Sequence, residues 1–111
     1  MKITKSIMLI AATGLLINGC ASVEMSSGGE KVRVLSPNEV LSCGKPLGKT
    51  SSTVMAKVAG VKRPIETIES ELTTMARNSA SDMGGDTIVP LTVVTNGKQS
   101  FNIYKCVGTS G

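Results

Sequence analysis

The residues of this chain that could carry chemistry are its cysteines, because histidine, the most versatile catalytic side chain, is missing. The sequence contains Cys20, Cys43 and Cys106 and has no histidine. Histidine is the commonest general base, and a metal site needs more ligands than two cysteines supply. Its serines lack a nucleophile motif, and Gly84-Gly85 is not a phosphate loop. The sequence therefore predicts a protein that is not an enzyme and that holds no cofactor and no metal.

The first residues have the organisation of a secretory signal. Lys2 and Lys5 precede an apolar run from residue 7 to residue 17. This run is shorter than the roughly 20 residues that span a bilayer. A basic start followed by a short apolar core is typical of a signal peptide, which we expect to cover residues 1–19.

The end of that segment resembles a bacterial lipobox. Ile17-Asn18-Gly19-Cys20 places an aliphatic residue three positions before a cysteine and a glycine directly before it. The resemblance implies that Cys20 becomes the first mature residue and carries lipid, including palmitate, which anchors the protein in the membrane. Ala21 is not the aspartate that retains enterobacterial lipoproteins in the inner membrane, so the implied location is the periplasmic side of the outer membrane. An ordinary signal peptide that happens to contain a cysteine is the alternative.

Cys43 and Cys106 are the thiols that remain once Cys20 is acylated. Because the periplasm is oxidising, we expect them to form a disulfide. The bond would close a loop of about 60 residues, for which chain entropy gives about 4 kcal/mol. That contribution would matter, since the chain has one Phe, one Tyr and no Trp for its core. A redox or metal-binding pair is the alternative, although redox pairs usually lie close together as Cys-x-x-Cys.

The charge balance argues against a nucleic-acid partner. Loss of Lys2 and Lys5 reduces Lys and Arg from 12 to 10 against 8 Asp and Glu, which leaves a mature net charge of about +2. Nucleic-acid-binding domains carry clustered Lys and Arg. Lys62-Arg63 is the only adjacent basic pair in the sequence. It is a candidate contact point, or simply the solvated end of a loop.

The mature chain is long enough for one small domain. Residues 20–29 are small, polar and without periodicity, so they are predicted to be a lipidated N-terminus and a short linker of roughly 30 Å at full stretch. Residues 30–108 are predicted to form a single α+β domain, and residues 109–111 a tail. Its sheet should have three or four strands, stapled by the disulfide.

Strand signals occur at both ends of this domain. Residues 31–35 alternate polar and β-branched side chains, and residues 87–95 are a β-branched run. Residues 100–107 form the predicted return strand after Asn96-Gly97, a strong hairpin signal. Another strand is expected somewhere in residues 45–58. Pro90 favours an edge position or a bulge near it.

The hairpin register follows from which side chains must face the core. A two-residue loop would pair Val93 with Ser100, apolar against polar. A three-residue loop with a bulge at Gly97 would pair Val93 with Phe101 and Leu91 with Ile103, which buries one consistent face. The sequence therefore favours the three-residue loop.

The main helix is predicted over residues 64–83, packed on one face of the sheet. Pro64 suits a first helical turn, and Gly84-Gly85 suits a helix end. Apolar residues at steps of three and four form the predicted buried stripe, which is Ile65, Ile68, Leu72, Met75, Ala76, Ala80 and Met83. The predicted solvent side is Glu66, Glu69, Thr73, Arg77 and Ser81.

These segments together resemble the YjeI-like small lipoproteins of enterobacteria, a family of unknown function. The resemblance rests on residues 32–34, on Cys43 with Leu47-Gly48 after it, on residues 72–86 and on residues 101–106. More distantly, the order of helix, glycines, strand and cysteine resembles the RcsF-like lipoprotein sensors of envelope stress. Those sensors carry two disulfides and a long Pro-rich linker, whereas this chain has cysteines for one disulfide and a short linker without proline.

The predicted function is that of an outer-membrane lipoprotein that binds envelope proteins or has a structural role on the periplasmic face. The resemblance to RcsF-like sensors implies envelope-stress signalling as the alternative. If the domain has a contact surface, we expect it around Arg77 and Ser81 on the helix and near Lys62 and Arg63.

Overall fold

The computed structural model describes residues 23–107 and has an α+β fold, as predicted. The predicted signal peptide and Cys20 lie outside the described residues. In chain order the described elements are a 3-10 helix Gly29–Lys31, β1 Arg33–Val34, a 3-10 helix Pro37–Cys43, β2 Gly48–Thr53, β3 Lys57–Val58, β4 Val61–Lys62, α1 Ile65–Asp82, β5 Thr87–Pro90 and β6 Lys98–Tyr104.

Four strands form one sheet in the order β1-β5-β6-β2. The short β1 runs parallel to β5, while β5 with β6 and β6 with β2 are antiparallel. β2 lies inside the broad region where a second strand was expected. β3 and β4 form a separate two-stranded hairpin between β2 and α1, which the sequence analysis did not predict.

The α1 helix packs on the sheet through the centre of the predicted stripe. Ile68, Leu72, Ala76 and Ala80 are buried, in steps of four. The two ends of the predicted stripe are different, since Ile65 and Met83 are each about half exposed.

The helix ends at the predicted glycines through two hydrogen bonds. The N–H of Gly85 donates to the carbonyl of Ala80 at 2.8 Å, and the N–H of Gly84 donates to Ser81 at 3.1 Å. Gly84 has a φ of +85°, which glycine adopts without strain. This Schellman-type cap turns the chain directly into β5.

The predicted register of the β5–β6 hairpin is wrong, because the bulge lies outside the turn. Asn96 and Gly97 both have positive φ and form a two-residue turn that pairs Thr95 with Lys98. Farther along, Pro90 pairs with Phe101. Between these two pairs the chain covers five residues from Thr95 back to Pro90 but only three from Lys98 to Phe101. The extra residues lie in a bulge over residues 91–94.

Polar contacts of Thr92 hold this bulge in place. Its hydroxyl accepts the N–H of Ser100 at 3.1 Å, and its carbonyl accepts the side-chain amide of Gln99 at 2.9 Å. Gly97 fits only as glycine, because a Cβ there would collide with the carbonyl of Val54. The turn is therefore fixed by a neighbouring backbone as well as by its own sequence.

The core is built from a few large and several small side chains. Its largest fully buried apolar residues are Phe101, Leu72, Ile88 and Ile103. Ala76 and Ala80 let α1 approach the sheet closely. Because so few large groups fill the core, each should contribute strongly to stability.

We expect Leu72→Ala to lower the free energy of unfolding by about 2–5 kcal/mol, since it removes a fully buried side chain and leaves a cavity. Glu69→Ala, at an exposed position of the same helix, should change it by no more than about 0.5 kcal/mol. Urea denaturation measures both, and equal midpoints would contradict the packing of α1.

Candidate functional site

The four residues predicted to form a partner surface lie in two different places. Lys62 is in β4 and Arg63 follows it, whereas Arg77 and Ser81 are in the second half of α1. Lys62 is exposed, but the other three are partly buried.

Arg77 and Ser81 are not on an open surface, contrary to the prediction that this helix face meets solvent. Arg77 donates from Nη2 to the carbonyl of Glu30 at 3.0 Å, and its Nε is buried without a partner among the described residues. A Cβ at Gly28 would collide with the hydroxyl of Ser81, so the backbone passes directly over that side chain. Both residues hold the N-terminal segment.

That segment, expected to be a linker, is docked on α1 from residue 24 onward. The N–H and the hydroxyl of Ser26 both donate to the Oδ1 of Asn78 at 2.9 Å. The Nδ2 of Asn78 donates to the carbonyl of Glu24 at 2.9 Å. Gly29 is buried, and a Cβ there would collide with Asn78. Gly28 and Gly29, which lie in the predicted linker, instead permit a close approach to the helix.

Arg63 links the β3–β4 hairpin to α1. Its Nη2 forms an ion pair with the Oε2 of Glu71 at 2.6 Å, and its Nη1 donates to the carbonyl of Met55 at 2.9 Å. The hydrogen bond from the Glu71 carboxylate raises the pKa of Arg63 above its ordinary value, although desolvation acts against it. The charge of Arg63 is therefore balanced within the domain.

Lys62 lies instead at the rim of a groove of about 290 Å³. The groove runs between the hairpin, the start of α1 and the β5–β6 turn. Its lining residues are Ala56, Lys57, Lys62, Arg63, Ile65, Ile68, Val94, Asn96 and Gly97. We call this feature the basic groove.

Two lysines of the basic groove are held directly opposite each other. Lys57 and Lys62 are cross-strand partners in the β3–β4 hairpin. Like charges in this position repel. Within residues 23–107, neither lysine forms an ion pair with a carboxylate. The arrangement has the chemistry to accept an acidic group between two ammonium groups, above the apolar side chains of Ile65 and Ile68.

The sequence analysis named Lys62 as a candidate contact residue and did not name Lys57, which lies opposite it. The signal was present as Lys-Val-Ala-Gly-Val-Lys over residues 57–62, in which Ala59 and Gly60 form the turn with positive φ. Alanine rarely adopts that conformation, so this pattern does not indicate a hairpin as strongly as Asn-Gly does.

A second depression is lined mostly by threonine and serine residues. Its volume is about 440 Å³, and it lies beside the bulge that follows β5. Its lining residues are Thr53, Thr92, Val93, Thr95, Asn96, Lys98 and Ser100. Lys98 is its only charged group, so it offers less electrostatic selectivity than the basic groove.

The predicted disulfide is confirmed between Cys43 and Cys106, with a Cα–Cα distance of 4.7 Å. It joins the end of the second 3-10 helix to the chain just after β6. In the described part of the chain no three His, Cys, Asp or Glu residues come together as a metal site. The two cysteines there are joined to each other.

Asp86 holds the chain beside this disulfide. Its Oδ1 accepts the N–H of Cys106, and its Oδ2 accepts the N–H of Val107, both at 2.8 Å. Partial burial raises the pKa of Asp86, but these two bonds, the Thr87 hydroxyl and the charge of Lys105 outweigh it, so the pKa lies below its ordinary value.

We expect acid to weaken the fold through Asp86. Because its folded pKa is lowered, its contribution is complete above its unfolded pKa of about 3.9 and is lost as pH falls through the folded value. Asp86→Asn should lower the free energy of unfolding at pH 7 by about 1–3 kcal/mol and flatten its pH dependence below about pH 5. Thermal melts from pH 7 to pH 3 measure both effects.

The control is Asp82→Asn, at an exposed position in the last turn of α1. A negative charge there opposes the helix dipole, so its removal should leave stability unchanged or slightly higher. If Asp86→Asn kept the wild-type pH profile, the assignment to Asp86 would be wrong.

Comparison with known proteins identifies a family but no activity. No curated protein and no solved structure matches the chain. Within residues 23–107, no helix is both long and apolar enough to cross a membrane. The profile of DUF4156, a domain of unknown function, matches residues 23–106, from the docked N-terminal segment to the second cysteine of the disulfide. The chain therefore belongs to the DUF4156 family.

Proposed function

We propose that this protein is an outer-membrane lipoprotein, attached through Cys20 on the periplasmic side, that binds an acidic segment of an envelope protein in the basic groove. The role is non-enzymatic. The proposed attachment rests on the sequence of residues 1–20, and the proposed binding rests on the described domain. The YjeI-like resemblance, which implies a lipoprotein, agrees with the proposed attachment.

The observation that carries the binding proposal is the opposed pair Lys57 and Lys62. Two cationic side chains on facing positions destabilise a two-stranded hairpin unless an anion lies between them. No carboxylate of residues 23–107 takes that place, although Glu71 does so for the nearby Arg63. An acidic group supplied by a partner would relieve the repulsion and gain favourable electrostatic complementarity.

Apolar side chains around the lysines favour a protein partner over a small anion. Ile65 is half exposed and lines the groove. Met55, which directly precedes the lining residue Ala56, is also exposed. Protein interfaces combine an apolar centre with a polar rim. An extended segment with one acidic and several apolar side chains would match the groove.

The attachment predicts that Cys20 is the acylated residue. Cells fed an alkyne analogue of palmitate should yield labelled wild-type protein in the outer-membrane fraction. Cys20→Ala should lose the label, whereas Cys106→Ala, which removes a cysteine of the disulfide, should keep it. Label retained in Cys20→Ala would refute acylation at this residue.

The binding proposal predicts a specific protein adduct from the groove. A photo-crosslinking amino acid at Ile65 leaves both lysines intact and should capture an envelope protein in living cells. The double variant Lys57→Glu, Lys62→Glu should reduce the adduct at least tenfold, because two attractive charges become repulsive. Thermal melts establish that the variant is folded.

Leu41 is the matched control for this experiment. It is 82% exposed in the second 3-10 helix, near the disulfide and at the other end of the sheet. Crosslinker at Leu41 should give no such adduct. Equal adducts from both positions, or an adduct that survives both charge reversals, would contradict the proposal. Capture of an envelope-stress signalling protein would favour the RcsF-like alternative for the role of the groove.

A further inference from the structure

The β3–β4 hairpin presents apolar side chains on the face away from its lysines. Val58 and Val61 are cross-strand partners, one position along from Lys57 and Lys62, so the two pairs point to opposite faces. Val58 is 52% exposed and Val61 is 69% exposed. We call this the valine face. A short hairpin usually turns its apolar face inward, and this one turns it toward solvent.

The base of this hairpin lies next to the point where the docked N-terminal segment begins. Val23 and Glu71 line the same surface depression. Glu71 also forms the ion pair with Arg63, which follows β4 directly. A single side chain of α1 therefore borders both the first described residue of the chain and the hairpin.

This placement limits how far the hairpin can be from an acyl group on Cys20. Cys20 precedes Val23 by three residues, which span at most about 10 Å. The hydrogen bonds of Asn78 with Glu24 and Ser26 hold the following residues on α1, so those residues do not lengthen the connection between Cys20 and the domain. A lipid attached to Cys20 would bring the bilayer surface to this end of the domain.

We propose that the valine face rests in the headgroup region of the bilayer that holds Cys20. This inference depends on the proposed acylation. Small apolar side chains gain from entering the interface, and a covalent lipid already provides most of the membrane affinity. Lys57 and Lys62 stay on the other face of the hairpin and remain available to the basic groove. The hairpin would then orient the domain on the membrane.

A second copy of the chain is a poorer occupant of this face. Stable protein interfaces bury about 800 Å² on each partner. Two valine side chains supply only a small part of that area. Glu66 and Glu69 are exposed on the neighbouring first turns of α1, so the patch cannot grow across the helix without burying charge.

The absence of tryptophan from the sequence gives a direct test. Val61→Trp introduces a single fluorescent reporter on the valine face, and Leu41→Trp introduces one at the other end of the sheet. Each full-length protein is purified in its mature, membrane-attached form and reconstituted into phosphatidylethanolamine–phosphatidylglycerol vesicles with brominated acyl chains. Mass spectrometry of the same sample measures acylation.

Trp at position 61 should be quenched at least twofold more than Trp at position 41. Val58→Trp provides a second reporter on the same face, with the same expected result, if Val61→Trp folds poorly. Addition of Val58→Asp to Val61→Trp should cut the quenching by at least half, since it places a charge in the contact.

Equal quenching at positions 61 and 41 in acylated protein would overturn the membrane contact and leave the proposed attachment intact. A chemical crosslink between two copies through the valine face, without quenching, would also overturn it. Protein without an acyl group would refute the attachment and the contact together. The three outcomes are distinguishable in one set of samples.

Discussion

The fold depends most on the way in which one end of its sheet is closed. The carboxylate of Asp86, at the start of β5, binds the backbone of Cys106 and Val107 just after β6, and the Cys43–Cys106 bond adds the second 3-10 helix to the same point. A disulfide across 63 residues contributes about 4 kcal/mol by chain entropy. That is a large share of the stability of a small domain with one Phe and no Trp.

Closure at this end allows the other end to keep features that cost stability. The hairpin there opposes two lysines, exposes two valines and is joined to α1 mainly through Arg63 and Glu71. A domain stabilised near its disulfide can retain such an end, because local stability need not be uniform across a structure. This contrast between the two ends of the sheet favours the hairpin end as the place where the domain contacts a partner.

The sequence predicts the elements that follow from local patterns. The helix follows from apolar spacing around Leu72, its end from Gly84, and the disulfide from the cysteine count. The errors arise where a long-range contact decides between local alternatives. Gly28 and Gly29 are equally suited to a linker and to close packing, and it is their contacts with Ser81 and Asn78, distant in the sequence, that select the second. The β5–β6 register likewise depends on Thr92, whose hydroxyl stabilises a bulge that no periodicity indicates.

The docked N-terminal segment also changes what the domain could reach from a membrane. A free linker over residues 20–29 would let it explore roughly 30 Å, whereas docking from residue 24 leaves a chain between Cys20 and Val23 that can span at most about 10 Å. A sensor that must reach across the periplasm needs length, but a module that meets partners at the bilayer surface needs a fixed orientation. Glu71 borders both the start of the docked segment and the hairpin. Docking of the segment would therefore shorten the attachment and also set which face of the domain meets the lipid. With Cys20 acylated as proposed, so short a tether would favour a membrane-proximal partner for the basic groove.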